Sequence, residues 1–221
     1  MKNSIFKTIE GRLLMAGLLM ALLLVGTIGF YLATDRAIAK TLILTFFANT
    51  FGGRSVGIGL CIIQDLSAFP TIFYNFYLEV MVTLFTYSVF ALTTINYLRV
   101  EWVIRAMERI AETAVKQKKK IERFGWIGLF VFVMIPLPVT GPVVGSIIGG
   151  MIRIGLVKNF SATFLGTLTA IVLWFEFFEF LDERFQVIQY FFAVIVILVL
   201  IPYIKKIRRF VQTLRQKKQD P

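Results

Sequence analysis

Two charged residues lie inside apolar stretches of the sequence, where each needs a partner. Arg54 follows a pair of glycines, and Glu79 is the only acidic or basic residue of 66–98. Because a charge in apolar surroundings is costly alone, we expect Arg54 to pair with Glu79, with Asp65 as the alternative partner. The pair has two interpretations: a structural ion pair, or part of a site for a substrate or a proton.

A second stretch with chemical potential is 124–152, which carries no acidic or basic residue and is broken by prolines in the sequence IPLPVTGP. The prolines end one half-helix, and Thr140 or Gly141 can cap the next. The free N–H groups at such a helix start favour an anion. The alternative is a packed kink without a ligand. The substrate-binding candidates are Arg54, Pro136, Pro138, Thr140, Gly141 and Gly145.

Glu176 and Glu179 lie three residues apart near the end of an apolar segment, where they form either a solvated pair or a proton-uptake site. The chain has no histidine, and Cys61 is its single cysteine. The usual general base and the usual metal ligands are therefore missing. We expect no enzymatic activity, no metal and no cofactor. Any proton coupling would depend on Glu79, Asp65, Glu176 or Glu179.

The composition indicates a polytopic all-α membrane protein. The chain is 57% hydrophobic and 17% charged, which is more apolar and less charged than a soluble domain. We predict one membrane domain over 1–204, followed by a basic tail over 205–221. Its apolar segments are 13–33, 41–64, 70–98, 124–152, 159–180 and 187–204, and an amphipathic helix over 99–123 lies between the third and the fourth.

The basic residues predict which segments cross the bilayer. Of the 24 lysines and arginines, 18 lie in the first twelve residues, in 99–123 and in the tail. The positive-inside rule places all three regions in the cytoplasm. This requires that 41–64 and 124–152, which contain the glycine and proline breaks, turn back as re-entrant hairpins. The net charge of +11 then reflects topology and anionic lipid rather than nucleic-acid binding.

The resulting order is a hairpin followed by a spanning helix, twice, in opposite orientation. Such inverted repeats recur in transporters. Gly53 and Gly57 fall on Gly141 and Gly145 at an offset of 88 residues, while Asp65 falls on Arg153. Chance matching in glycine-rich sequence is the alternative.

The second hairpin resembles the small multidrug export protein family, which is distantly similar to the DedA membrane-protein superfamily. That family typically has I-P-L-P-G-T-G-A-W-x-G here. The chain matches at Ile135, Pro136, Leu137, Pro138, Thr140, Gly141 and Gly145, and departs at Val139, Pro142 and Val144. The first hairpin is similar to the family's E-L-R-G-x-I-P at Arg54, but Gly52 stands where the acid would be. The similarity covers about 45–180.

The resemblance implies a multi-pass protein of the cytoplasmic membrane, with proton-dependent transport or flipping of phosphate-bearing lipids. We therefore expect a small secondary transporter or lipid flippase for an anionic or amphiphilic substrate, with both termini cytoplasmic. Membrane lipid and the substrate are the expected partners, and the sequence leaves a homo-oligomer open. The alternative is a non-transporting scaffold that organises lipid. A third possibility, an ion channel, would need polar pore-lining repeats that the sequence lacks.

Overall fold

The computed structural model describes residues 8–94, 101–135 and 141–183, which are mostly helical and contain no strand. The chain divides into two compact units, residues 1–176 and 177–221. In the second unit, the structure describes only residues 177–183, which are helical. The helices are α1 Ile9–Thr34, α2 Arg36–Phe47, α3 Arg54–Ile63, α4 Ala68–Thr94, α5 Glu101–Glu122, α6 Gly125–Met134, α7 Gly141–Met151 and α8 Leu156–Glu183.

Three of the described helices are long and apolar enough to cross a bilayer. They are α1, α4 and α8. At 1.5 Å per residue each measures about 39–42 Å, more than the roughly 30 Å of a hydrocarbon core. They correspond to the predicted spans 13–33, 70–98 and 159–180, while the predicted span 187–204 lies outside the described residues.

The first predicted hairpin consists of two antiparallel helices, α2 and α3. The Thr41 hydroxyl lies 3.4 Å from the Gln64 side chain, and the Thr45 hydroxyl lies 3.4 Å from the Cys61 sulfur. The hairpin begins at Arg36 rather than at the predicted 41, because the preceding aspartate caps α2. At about 18 Å and 15 Å, neither helix can span a bilayer.

The second predicted hairpin is formed by α6 and α7, which are joined by residues outside the described part of the chain. Gly141 at the start of α7 faces the Val133 carbonyl near the end of α6, and Gly145 faces Leu129 one turn earlier in α6. The two helices are therefore antiparallel. Each is about 15–17 Å long, again too short to cross.

The backbone repeats itself with the period suggested by the glycines. Helices α3 and α7 end at Ile63 and Met151, and α4 and α8 begin at Ala68 and Leu156, each pair 88 residues apart. The residues after the two short helices also agree. Asp65 has a φ of 56° and Arg153 a φ of 57°, although non-glycine residues rarely adopt positive φ.

The two hairpins approach α4 from its opposite ends. Gly57 of α3 packs against Asn75 in the first half of α4, whereas Gly150 of α7 packs against Tyr87 in the second half. Arg54 after the first tip contacts Glu79 and lies beside Gly141, so the start of α3 and the start of α7 both lie near the middle of α4. This places the repeats in opposite orientations along α4.

Each hairpin has its own apolar core. Leu24, Leu42, Tyr74, Leu78 and Met81 form one between α1, α2 and α4, and a second surrounds α6 and α7. The connector α5 contributes Ala114 and Ile121 to the second core. The predicted amphipathic segment 99–123 is thus a helix over 101–122 that packs on the second hairpin.

Candidate functional site

The tip of the first hairpin is shaped by Gly53. Its φ of 85° and ψ of 174° lie in a region that only glycine adopts without strain. A π-helical turn, Ala48–Gly52, precedes it, and α3 begins directly afterwards at Arg54. The backbone conformation at this tip therefore fixes the position from which the Arg54 side chain extends.

The Arg54 side chain lies between the two hairpin tips and α4. Its Nε is 3.6 Å from Glu79 Oε1, and its Nη1 donates to the Val133 carbonyl at 3.3 Å. Glu79 is the partner preferred from sequence. The Arg54 side chain is only 4% exposed, so few of its donors can reach water.

One nitrogen of Arg54 has no hydrogen-bond acceptor within the described ranges of the chain. Among the described residues, Nη2 is buried without a partner. It points at the first residue of α7, since a Cβ added to Gly141 would lie 2.7 Å from it. A buried guanidinium donor without an acceptor is costly, which marks this edge as a place where a ligand could bind.

Glu79 lies near the middle of α4 and its side chain is 12% exposed. It belongs to a stripe of polar residues at four-residue steps, formed by Thr71, Asn75, Glu79, Thr83 and Tyr87. Residues four apart are rotated by about 40°, so the stripe turns from the first hairpin towards the second. Sequence reasoning singled out Glu79 alone on this helix and missed the stripe, which the four-residue spacing could have revealed.

The Thr83 hydroxyl is a second buried polar group without a partner among the described residues. It lies one turn beyond Glu79 on the same stripe and is fully buried. Arg54 Nη2 and Thr83 Oγ1 are thus two buried hydrogen-bonding groups without a partner among the described residues.

The other predicted site residues lie in different places. Gly145 is buried in α7 against Val133 and Leu129, below the tip. Asp65 is exposed after α3, and Glu176 and Glu179 are both exposed on α8. Pro136, Pro138 and Thr140 lie outside the described residues. In the part of the chain that the structure describes, no three histidine, cysteine or acidic side chains converge as they would to hold a metal ion.

The comparisons with known proteins support a transporter family. Residues 54–173, which begin at Arg54 and include α3, α4 and the second hairpin, match the family described as "Putative small multi-drug export protein". No curated protein and no solved structure matches the chain. The apolar helices and this match together show a multi-pass membrane protein. Because the matched region covers more than half of the sequence, the chain belongs to the small multi-drug export protein family.

Proposed function

We propose that the protein is a small secondary transporter or flippase that exports an anionic or amphiphilic, phosphate-bearing substrate. The anionic group binds between the hairpin tips, near Arg54 and the start of α7. The observation that carries this proposal is the buried Arg54 Nη2, which has no acceptor among the described residues and faces Gly141.

The chemistry at the tips suits a tetrahedral oxyanion. The guanidinium is a planar group whose donors match phosphate oxygens. Helix α7 begins at the same place, so its first N–H groups and the positive end of its dipole favour negative charge there. Gly141 allows the close approach, since any side chain would displace the guanidinium.

Glu79 couples the anion to a proton in this proposal. Its carboxylate and the anion compete for Arg54, so protonation of Glu79 releases the guanidinium for the substrate. Arg54 is the charged group that faces Glu79. Helices α6 and α7 have no ionisable residue, and α1, α2 and α8 carry theirs towards their ends. The remaining titratable side chains on α3 and α4 are Cys61, Tyr74, Tyr77 and Tyr87.

The proposed membrane arrangement follows from helix length and basic charge. Helices α1, α4 and α8 cross the cytoplasmic membrane together with the predicted span 187–204. The two hairpins enter from opposite faces and turn back, because their helices are too short to cross. Non-helical backbone at that depth is tolerated where protein covers it. The N-terminus, α5 and the basic tail face the cytoplasm.

The test uses the full chain reconstituted in lipid vesicles. Dodecyl phosphate is the amphiphilic probe and inorganic phosphate the soluble one. A dodecyl phosphate gradient should drive proton movement, which a trapped pH-sensitive dye reports. Arg54→Gln should abolish both binding and proton movement, while Glu79→Gln should keep binding and lose proton movement.

The matched control is Lys158→Gln, which removes an exposed positive charge on α8. It should leave both measurements unchanged. Binding of inorganic phosphate alone would narrow the substrate to soluble anions. Equal phosphate binding and proton movement in the wild type and in a folded Arg54→Gln variant would reject the transport site and favour a scaffold.

A further inference from the structure

Buried polar side chains fill the contact between the first hairpin and α4, outside the proposed anion site. Cys61 Sγ on α3 accepts from the Asn75 amide of α4 at 3.6 Å and lies 3.4 Å from the Thr45 hydroxyl of α2. The Asn75 amide also donates to the Thr71 carbonyl on α4 at 2.8 Å. The amide of Asn49 donates to Asn75 Oδ1 at 3.1 Å, near the hairpin tip. We call Thr45, Cys61, Thr71 and Asn75 the first seam.

A similar line lies between the second hairpin and α8. The Asn159 amide donates to the Ser146 carbonyl at 2.7 Å, and the Thr163 hydroxyl is 3.5 Å from Asn159 Oδ1. The Thr167 hydroxyl continues the line by donating to the Thr163 carbonyl at 2.8 Å. We call Ser146, Asn159, Thr163 and Thr167 the second seam.

Two residues of each seam occupy matching places in the two repeats. Thr71 and Asn75 on α4 correspond to Asn159 and Thr163 on α8, 88 residues later. Residue by residue the order of threonine and asparagine is reversed, but both pairs are fully buried. Each seam runs from the base of its hairpin towards the junction of the tips, and the two bases lie at opposite ends of α4.

We infer that each seam is a water-accessible half-path between the tip junction and one face of the membrane, and that the two open alternately. This inference rests on the proposed function. Both seams are closed in this structure, since all eight of their residues are buried. When a seam opens, its hydroxyl and amide groups can exchange their partners for water at little enthalpic cost.

Close glycine contacts make each seam a place where one helix can move past another. A Cβ on Gly57 would lie 2.6 Å from Asn75 Oδ1, and Gly149 packs directly on the Asn159 amide. In the described part of the chain, the nearest side chains to these two glycines are those of asparagines. Inverted repeats of this kind support the movement of one unit against the other around a fixed site.

The native Cys61 provides a probe of the first seam. We would label it with a membrane-impermeant sulfonated maleimide in right-side-out and inverted vesicles. For the second seam, Thr163→Cys is made in a Cys61→Ser background, with Ser146→Cys as a second variant if the first does not fold. Ala162→Cys is the matched control, because it is buried on the same turn of α8 but outside the seam.

We expect the two seams to label from opposite faces of the membrane and to respond in opposite directions to Glu79→Gln. Loss of the Arg54–Glu79 ion pair releases the first hairpin tip from α4. The labelling rate of Cys61 should rise about tenfold and that of Thr163→Cys should fall about tenfold, as a modest population shift requires. Ala162→Cys should stay protected throughout.

Protection of both seams in both backgrounds would reduce them to interhelical packing and overturn the inference. Labelling of both from one face, or a rise of both rates together, would also overturn alternation. Phosphate binding through Arg54, measured on the same vesicles, separates this failure from failure of the proposed function. If the seams stay closed but binding persists, the anion site stands without these half-paths.

Discussion

The two repeats have equivalent backbones, but they differ at the positions of the Arg54–Glu79 ion pair. Their short helices end, and their long helices begin, at positions 88 residues apart. In the first repeat Arg54 and Glu79 form a buried ion pair, whereas Pro142 and Thr167 occupy the corresponding positions of the second. Because the second repeat builds the same hairpin and helix without an ion pair at these two positions, the ion pair is not a requirement of the fold. It is an addition to one half only.

The strongest test of this comparison removes the charge from the first repeat. Arg54→Met leaves Glu79 buried without its partner and should lower the free energy of unfolding by about 3–5 kcal/mol. The double variant with Glu79→Gln should recover most of that stability but not phosphate binding. Unfolding in mixed micelles with sodium dodecyl sulfate measures the first effect and titration with dodecyl phosphate the second.

A double variant as unstable as Arg54→Met would mean that the arginine holds the tips together by itself. The contrast between the repeat with the Arg54–Glu79 ion pair and the repeat without a counterpart would then be structural rather than functional.

The two tip glycines should respond differently to alanine. Gly53→Ala forces a side chain into a glycine-only conformation and should cost about 1–3 kcal/mol of stability. Gly141→Ala should cost only about 1 kcal/mol, because the displaced group is the end of a flexible side chain. It should nevertheless abolish phosphate binding by moving Arg54 Nη2. Phosphate affinity equal to wild type in Gly141→Ala would contradict the proposed binding edge.

The buried hydroxyls of Thr83 on α4 and Thr167 on α8 should differ in the stability that they contribute. Thr167 donates to the Thr163 carbonyl, so Thr167→Val should cost about 1 kcal/mol. Thr83 has no partner among the described residues, so Thr83→Val should be neutral or slightly stabilising. If Thr83→Val also weakens phosphate binding, its hydroxyl contributes to the site. The reverse order of stabilities in thermal unfolding would contradict the structure at these positions.

The smallest expected change in stability comes from glycine at Asp65 or Arg153, and it should be equal in the two repeats. Asp65 and Arg153 both have positive φ after a short helix. Glycine relieves the strain of that conformation, so Asp65→Gly and Arg153→Gly should each stabilise the protein by about 0.5–1 kcal/mol. Similar shifts in thermal unfolding would extend the equivalence of the repeats to their energetics, and shifts of opposite sign would deny it.

Much of the fold could be predicted from the glycines and prolines that interrupt apolar segments and from the positions of the charged residues. The glycines and prolines interrupt apolar segments, so the short paired helices were predictable from local backbone chemistry. The small number of charges within those segments left Arg54 few partners, which made Glu79 identifiable. The family suggested by the IPLPVTGP stretch is confirmed by the match over residues 54–173.

Other features could not be reached in this way. Arg54 donates a hydrogen bond to the backbone carbonyl of Val133. Because every residue type has this carbonyl, the sequence could not identify the acceptor. The start of α2 was placed too late, since Asp35 both ends α1 and caps α2 within one turn. The opposed approach of the hairpins to α4 depends on contacts between residues far apart in the chain.

The meeting of the hairpin tips beside the middle of α4 has an electrical consequence. In the proposed membrane arrangement, an ion that reached Glu79 from either face would cross about half of the transmembrane voltage. Each half of its journey then costs or releases about 1.2 kcal/mol per 100 mV, half of the roughly 2.3 kcal/mol for a full crossing. Membrane potential would therefore act about equally on loading and on release.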